Sequence, residues 1–207
     1  MKRSKASQRW LKQHEQDPYV KMARAEGYRS RASYKLLEMN DRLGLFKPGQ
    51  VIVDLGAAPG GWSQVAEKCT GPRGRVVALD ILAMEAIPGV EIICGDFTSD
   101  VVCAQLEETL QSSAVDLVIS DRAPNLSGMK HIDLPKAAFL VELALEFADK
   151  VLSKGGIVVT KAFEGEGIDD LRKLIRSRYE KLVNIKPKAS RGRSRELYLV
   201  GVGHKGL

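Results

Sequence analysis

Val51-Ile-Val-Asp-Leu-Gly-Ala-Ala-Pro-Gly-Gly-Trp62 is a short apolar run that breaks into a glycine-rich loop. A helix-like segment, Trp62–Cys69, follows at once, so the stretch reads as strand, loop, helix. Working toward the C-terminus, the pattern repeats. Arg75–Asp80, Val90–Cys94, Asp116–Asp121 and Ile157–Lys161 are strand-like, and helical patterns occupy Ser99–Gln111, Leu134–Leu152 and Ile168–Arg178. Toward the N-terminus, Ser30 opens a helix through Leu43 that Gly44 ends. Short strands alternating with helices predict right-handed crossovers, hence an α/β fold with a mostly parallel sheet and helices on both faces. Lys181–Pro187 and Glu196–Val202 are extended runs with no helix between them, which predicts a C-terminal antiparallel hairpin and seven strands in all.

The 207 residues suit one domain, and 44% hydrophobic content is enough for a core. We expect a basic N-terminal arm over 1–27 and a single domain over 28–207. The net charge of +6 hides a segregation. Residues 1–35 carry ten Lys/Arg against three Asp/Glu, residues 36–171 eleven against 21, and residues 172–207 eleven against two. Two basic ends around an acidic middle point to a polyanion partner and exclude a uniformly basic coat. Cys69, Cys94 and Cys103 are odd in number and lack CxxC spacing, which argues against disulfides and zinc and for the cytoplasm. His14, His131 and His204 show no metal spacing and read as surface or loop residues; no metal is expected. No secretory h-region follows the basic start, and no apolar run spans a bilayer. We expect a monomer.

Open α/β sheets bind ligands beyond the C-terminal ends of their strands. There the sequence places the glycine loop after the first strand, Asp80 after the second, Asp96 after the third, Asp121-Arg-Ala-Pro-Asn125 after the fourth and Lys161 at the fifth. Asp80 lies 24 residues beyond Gly56, near where a carboxylate meets a ribose diol. The loop has neither G-x-G-x-x-G spacing nor a Walker G-K-[ST]. Three carboxylates repel phosphate and favour a hydroxyl-rich or cationic ligand, a description that S-adenosylmethionine meets.

Several segments together resemble the FtsJ-type RNA 2′-O-ribose methyltransferases. They are Asp54–Trp62, Arg29–Leu36, Ser120-Asp-Arg-Ala-Pro-Asn125, Lys161 with Phe163 and Gly165-Glu-Gly167, and Ser190–Leu199. The resemblance spans nearly the whole chain. It implies a Rossmann-like methyltransferase fold and S-adenosyl-L-methionine as cofactor. It implies a catalytic tetrad of Lys35, Asp121, Lys161 and Glu196, with Lys161 as proton acceptor. It implies cofactor contacts at Gly60, Trp62, Asp80, Asp96 and Asp121. The substrate it implies is ribosomal RNA in the large subunit, a uridine of the A loop. Arg122 departs from the family, which has Met there. An added cation has three open roles: favouring the charged form of Asp121, contacting RNA, or facing away.

A 2′-hydroxyl attacks a methyl group only if a base within hydrogen-bond reach takes its proton. A lysine does this in its neutral form, which burial or a neighbouring cation favours and a carboxylate opposes. The basic groups lead straight into the tetrad: Arg29 and Arg31 precede Lys35, while Arg191, Arg193 and Arg195 precede Glu196. With Lys5 and Arg9 of the arm, these are the expected RNA contacts, through phosphates.

Overall fold

The computed structural model describes residues 15–111, 113–125, 127–192 and 194–206. Thirteen elements follow in chain order: α1 (Pro18–Ala25), α2 (Ser33–Leu43), β1 (Val51–Leu55), α3 (Gly61–Thr70), β2 (Arg75–Asp80), β3 (Val90–Cys94), α4 (Asp100–Leu110), β4 (Val115–Ser120), α5 (Lys130–Val151), β5 (Leu152–Phe163), α6 (Ile168–Arg178), β6 (Tyr179–Ile185) and β7 (Glu196–His204). One seven-stranded sheet has the order β3-β2-β1-β4-β5-β7-β6. Strands β1 to β5 pair in parallel. β7 is antiparallel to both β5 and β6 and lies between them.

The strands are apolar on both faces because helices cover both. Leu36 and Met39 of α2 and Val65 of α3 pack with Ile52, Leu117 and Val159 on one face. Leu106 of α4, Leu145 of α5 and Ile175 of α6 pack with Val53, Val118 and Val158 on the other. The side-chain period of two sorts each strand between these cores.

Four expectations need correction. The expected arm contains α1, with Asp17 as its N-cap, Pro18 in its first turn, and Val20 and Ala23 buried. α2 begins at Ser33, because the Ser30 hydroxyl accepts from Ala32 N–H in a turn before the helix. α5 begins at Lys130, four residues early, because Asp133 accepts from the backbone of Ser127 and Gly128 and closes the preceding turn. His204 is neither surface nor loop: it is 1% exposed on β7, with Nε2 3.2 Å from Asp149, which also pairs with Arg178.

Candidate active site

Register brings the expected tetrad residues together. Ser120 of β4 lies opposite Thr160 of β5, so Asp121 falls beside Lys161. Lys161 pairs with Tyr198 of β7, and Phe163 with Glu196. Positions 119, 159, 198 and 200 pack into the core under α2, so the same period of two puts Asp121, Lys161, Glu196 and Tyr198 on that face. α2 then delivers Lys35 from above. Its side chain is buried among them, which a lysine tolerates only when paired.

The four expected tetrad residues form two ion pairs. Lys35 Nζ lies 2.7 Å from Glu196 Oε1. Lys161 Nζ lies 2.9 Å from Asp121 Oδ1 and also donates to the Asp121 carbonyl. Tyr198 joins the pairs. Its hydroxyl accepts from Lys35 at 3.2 Å and donates to Asp121 Oδ1 at 2.6 Å. Burial, then the charges of Asp121 and Glu196, raise its phenol well above the usual range, so it stays a donor. Burial also pushes the Glu196 carboxyl up, but the Lys35 charge and hydrogen bond outweigh it and hold the carboxyl low. Sequence reasoning missed Tyr198. The available signal was its position two residues after Glu196 in a strand, hence on the same face.

Beside this chain of groups an open cleft of about 890 Å³ runs over the strand ends. Asp80, Asp96 and Asp121 line it, with Gly56, Ala58 and Gly95. Asp80 accepts from Ala58 and Leu82 N–H at 2.9 and 2.8 Å, and Asp96 from Thr98 N–H at 2.9 Å. That Thr98 bond is the main reason the Asp96 carboxyl lies below its usual range. Each carboxylate keeps further acceptor capacity for a ligand. Ile81 and Leu82 stand exposed at the rim as apolar walls. Small residues, apolar walls and carboxylates fit a nucleoside that carries positive charge. Below the cleft, Asp54 is fully buried, accepts from Ser63 at 2.7 Å and leaves Oδ1 without a partner. Burial is the chief cause that lifts its carboxyl to about 7; Asp121 and Asp80 add to it against the Ser63 bond. An acidic residue inside an apolar strand was the sequence signal for it.

Gly60 and Trp62 are not brought to the cleft lining. Trp62 is 3% exposed, donates from Nε1 to the Ala32 carbonyl at 2.8 Å and packs on Tyr198 at 5.5 Å between ring centres. A Cβ on Gly60, which sits at φ 108°, would meet Ile87 and Arg29. Two of the expected RNA contacts are engaged within the protein. Arg29 donates to the carbonyls of Pro59, Glu85 and Ala86. Arg31 pairs with Asp17 at 2.9 Å and donates to the Ala189 carbonyl. Arg191 and Arg195 are exposed. Lys5, Arg9 and Arg193 lie outside the described residues. Arg122 lines the same cleft as Asp121, with its guanidinium 4.8 Å over the Phe97 ring.

The sheet order, the acidic cleft at the strand ends and the lysine–carboxylate chain beside it define a Rossmann-like methyltransferase. The model of FtsJ-like methyltransferases matches residues 28–204, and the chain belongs to that family. Ribosomal RNA large subunit methyltransferase E of Pseudomonas fluorescens is 55% identical over 206 residues, covering 100% of this chain and 99% of its own. The protein of the same name from Cellvibrio japonicus is 56% identical over 206 residues, covering 100% and 98%. A solved structure from Plasmodium falciparum, described as a ribosomal RNA methyltransferase, superposes with a TM-score of 0.79 at 29% identity, covering 87% of this chain and 100% of its own.

Proposed function

We propose that this enzyme methylates a ribose 2′-hydroxyl of large-subunit ribosomal RNA, a uridine of the A loop, in the assembled subunit. The relatives named for large-subunit RNA support the substrate class. The single observation that carries the reaction is the linked chain Lys161–Asp121–Tyr198–Lys35–Glu196 beside an acidic cleft. Bound S-adenosylmethionine supplies an electrophilic methyl group on a sulfonium. Asp80 and Asp96 would hold it, with Asp121 between cofactor and substrate.

Lys161 is the proton acceptor in this reading. Asp121 grips its Nζ from carboxylate and carbonyl, which holds the amine beside a residue that lines the cleft. Lys161 would first release its ammonium proton to solvent; its neutral amine would then take the hydroxyl proton as the 2′-oxygen bonds to the methyl carbon and the sulfur–carbon bond breaks, leaving the electron pair on sulfur. Lys35, held by Glu196, lends positive charge to the developing oxyanion. Tyr198 keeps the two lysines in a common frame. Exposed Arg191 and Arg195, with the basic start of the chain, would contact phosphates.

The test is transfer of labelled methyl to intact large subunits, stripped ribosomal RNA and transfer RNA, followed by mapping of the modified ribose. We expect one modified uridine, and label in intact subunits above stripped RNA. Label in transfer RNA instead overturns the substrate assignment. Lys161→Ala is expected to lose roughly 100-fold or more in single-turnover rate, the low end of general-base catalysis. It should still bind S-adenosylhomocysteine; a near-normal rate overturns the base assignment.

A further inference from the structure

Arg122 is the one cation that follows directly on the acidic strand ends, and its setting is unusual. Its side chain crosses the glycine loop so closely that a Cβ on Gly56, which sits at φ +78°, would overlap its Cγ. The guanidinium then lies over the Phe97 ring, 4.8 Å from its centre, and the residue lines the cleft beside Asp80, Asp96 and Asp121. Among the described residues it makes no ion pair, and Nη1 is sealed from solvent without a hydrogen-bond partner. A guanidinium stays charged in any protein environment. Stacking on an aromatic face stabilises it only modestly and leaves that charge in place. Burial lowers its proton affinity, while Asp96 and then Asp80 support the charged form from across the cleft. The cleft therefore holds its own positive charge where three carboxylates gather.

That charge has a consequence for ligands that differ by one charge. The methyl donor carries a sulfonium; the by-product, after transfer, carries a neutral thioether. A fixed cation in the shared site raises the energy of the first relative to the second.

We propose that Arg122 is a specificity-determining residue of the cleft that weakens its preference for the charged methyl donor over the neutral by-product. The inference rests on the proposed cofactor assignment. It concerns a residue that touches neither the tetrad ion pairs nor the substrate side of Asp121.

Calorimetric titration of S-adenosylmethionine and S-adenosylhomocysteine, without RNA, reads the effect directly. Arg122→Met removes the charge and keeps the length; Arg122→Gln is a second neutral variant, and Arg122→Lys keeps the charge. Both neutral variants are expected to shift the affinity ratio toward S-adenosylmethionine by about fivefold, the order that a unit charge exerts across a small ligand at intermediate dielectric. Arg122→Lys should keep the wild-type ratio. Thermal unfolding of the ligand-free variants shows that each is folded. An unchanged ratio in both neutral variants overturns the proposal while the cofactor reading stands. The same shift in Arg122→Lys also overturns it, because shape rather than charge would then be responsible. Failure of the wild-type protein to bind either ligand removes the cofactor reading and the proposal with it.

Discussion

Tyr198 Oη is shared by both ion pairs, and among the described residues no other side-chain atom hydrogen-bonds to both Lys35 and Asp121. Tyr198→Phe deletes that atom and keeps the ring packed on Trp62. Asp121 then loses one of its two side-chain donors, and Lys35 keeps only Glu196. We expect single-turnover methylation to fall roughly 10- to 100-fold, because aligned groups are lost rather than the base itself. S-adenosylhomocysteine affinity should hold within about twofold, since Tyr198 does not line the cleft. A loss confined to cofactor binding would contradict this role. Asp54 carries a second residue-scale prediction. Its carboxyl titrates near 4 in the unfolded chain and at about 7 in the folded one. The folded state thus holds a proton that the unfolded state has released between those values. Its contribution to stability is complete below pH 4 and is lost as pH rises through 7. Asp54→Asn removes this dependence and leaves an acceptor for Ser63. Urea unfolding at pH 5 and pH 8 should show the variant gaining up to about 3 kcal/mol on the wild type over that interval, at 1.36 kcal/mol per pH unit. A pH-independent difference would exclude a raised Asp54.

The contact between α2 and α3 determines where Lys35 sits. The Trp62 indole at the start of α3 donates to the Ala32 carbonyl, and the Ser33 hydroxyl donates to the Gly61 carbonyl at 3.0 Å. The N-terminus of each helix is thereby tied to the other, one turn before Lys35. Trp62→Phe keeps an aromatic ring and loses the N–H. We expect about 1 kcal/mol of lost stability from the missing hydrogen bond. We also expect a larger fall in kcat than in cofactor affinity, since the tie positions a lysine and not the cleft. Denaturant unfolding beside a kcat and Kd pair checks both parts. This contact also marks how far the sequence was legible. Strands β1 to β4 could be read to within a residue because each is a short run, mostly apolar, bounded by turn or loop residues, and the period of two then predicts which residues share a face. The expected tetrad came from the family resemblance, and strand-end placement supported only Asp121 and Lys161 independently of it. The helix-to-helix role of the Trp62 indole was not legible, because a tryptophan after a glycine loop has the same sequence signature whether its ring meets a ligand or a neighbouring helix. α1 was missed for a similar reason: eight residues with only Val20 and Ala23 buried carry little period, and tertiary contact supplies the rest. β5 runs from Leu152, through a Ser-Lys-Gly-Gly stretch that reads as a turn, because β4 and β7 flank it on either side.

At the scale of the whole molecule, charge is divided by task. Carboxylates collect at the strand ends, and basic residues collect toward both chain ends. On the proposed function, the carboxylates would serve a cationic small molecule and the basic segments a polyanion, and exposed charges further apart than a Debye length of about 8 Å at physiological salt are largely screened from one another. Arg29 and Arg31 are engaged with carbonyls and Asp17, so their share in phosphate binding is reduced. On the proposed function, the phosphate contacts would then fall to Arg191 and Arg195, which are exposed, and to residues 1–14, which hold five Lys/Arg and no Asp/Glu. Replacing Lys2, Arg3, Lys5, Arg9 and Lys12 by Gln in the full chain tests the division. RNA affinity measured across a salt series should fall less steeply in the variant. The slope of log affinity against log salt should flatten by up to about 4, from the release of roughly 0.7 to 0.9 counterions per phosphate contact. S-adenosylhomocysteine affinity should be unchanged at every salt concentration, because none of the five residues is among the expected cofactor contacts Gly60, Trp62, Asp80, Asp96 and Asp121. An unaltered slope would assign RNA binding to the C-terminal basic segment alone. Weaker cofactor binding would mean that the two charge fields are coupled.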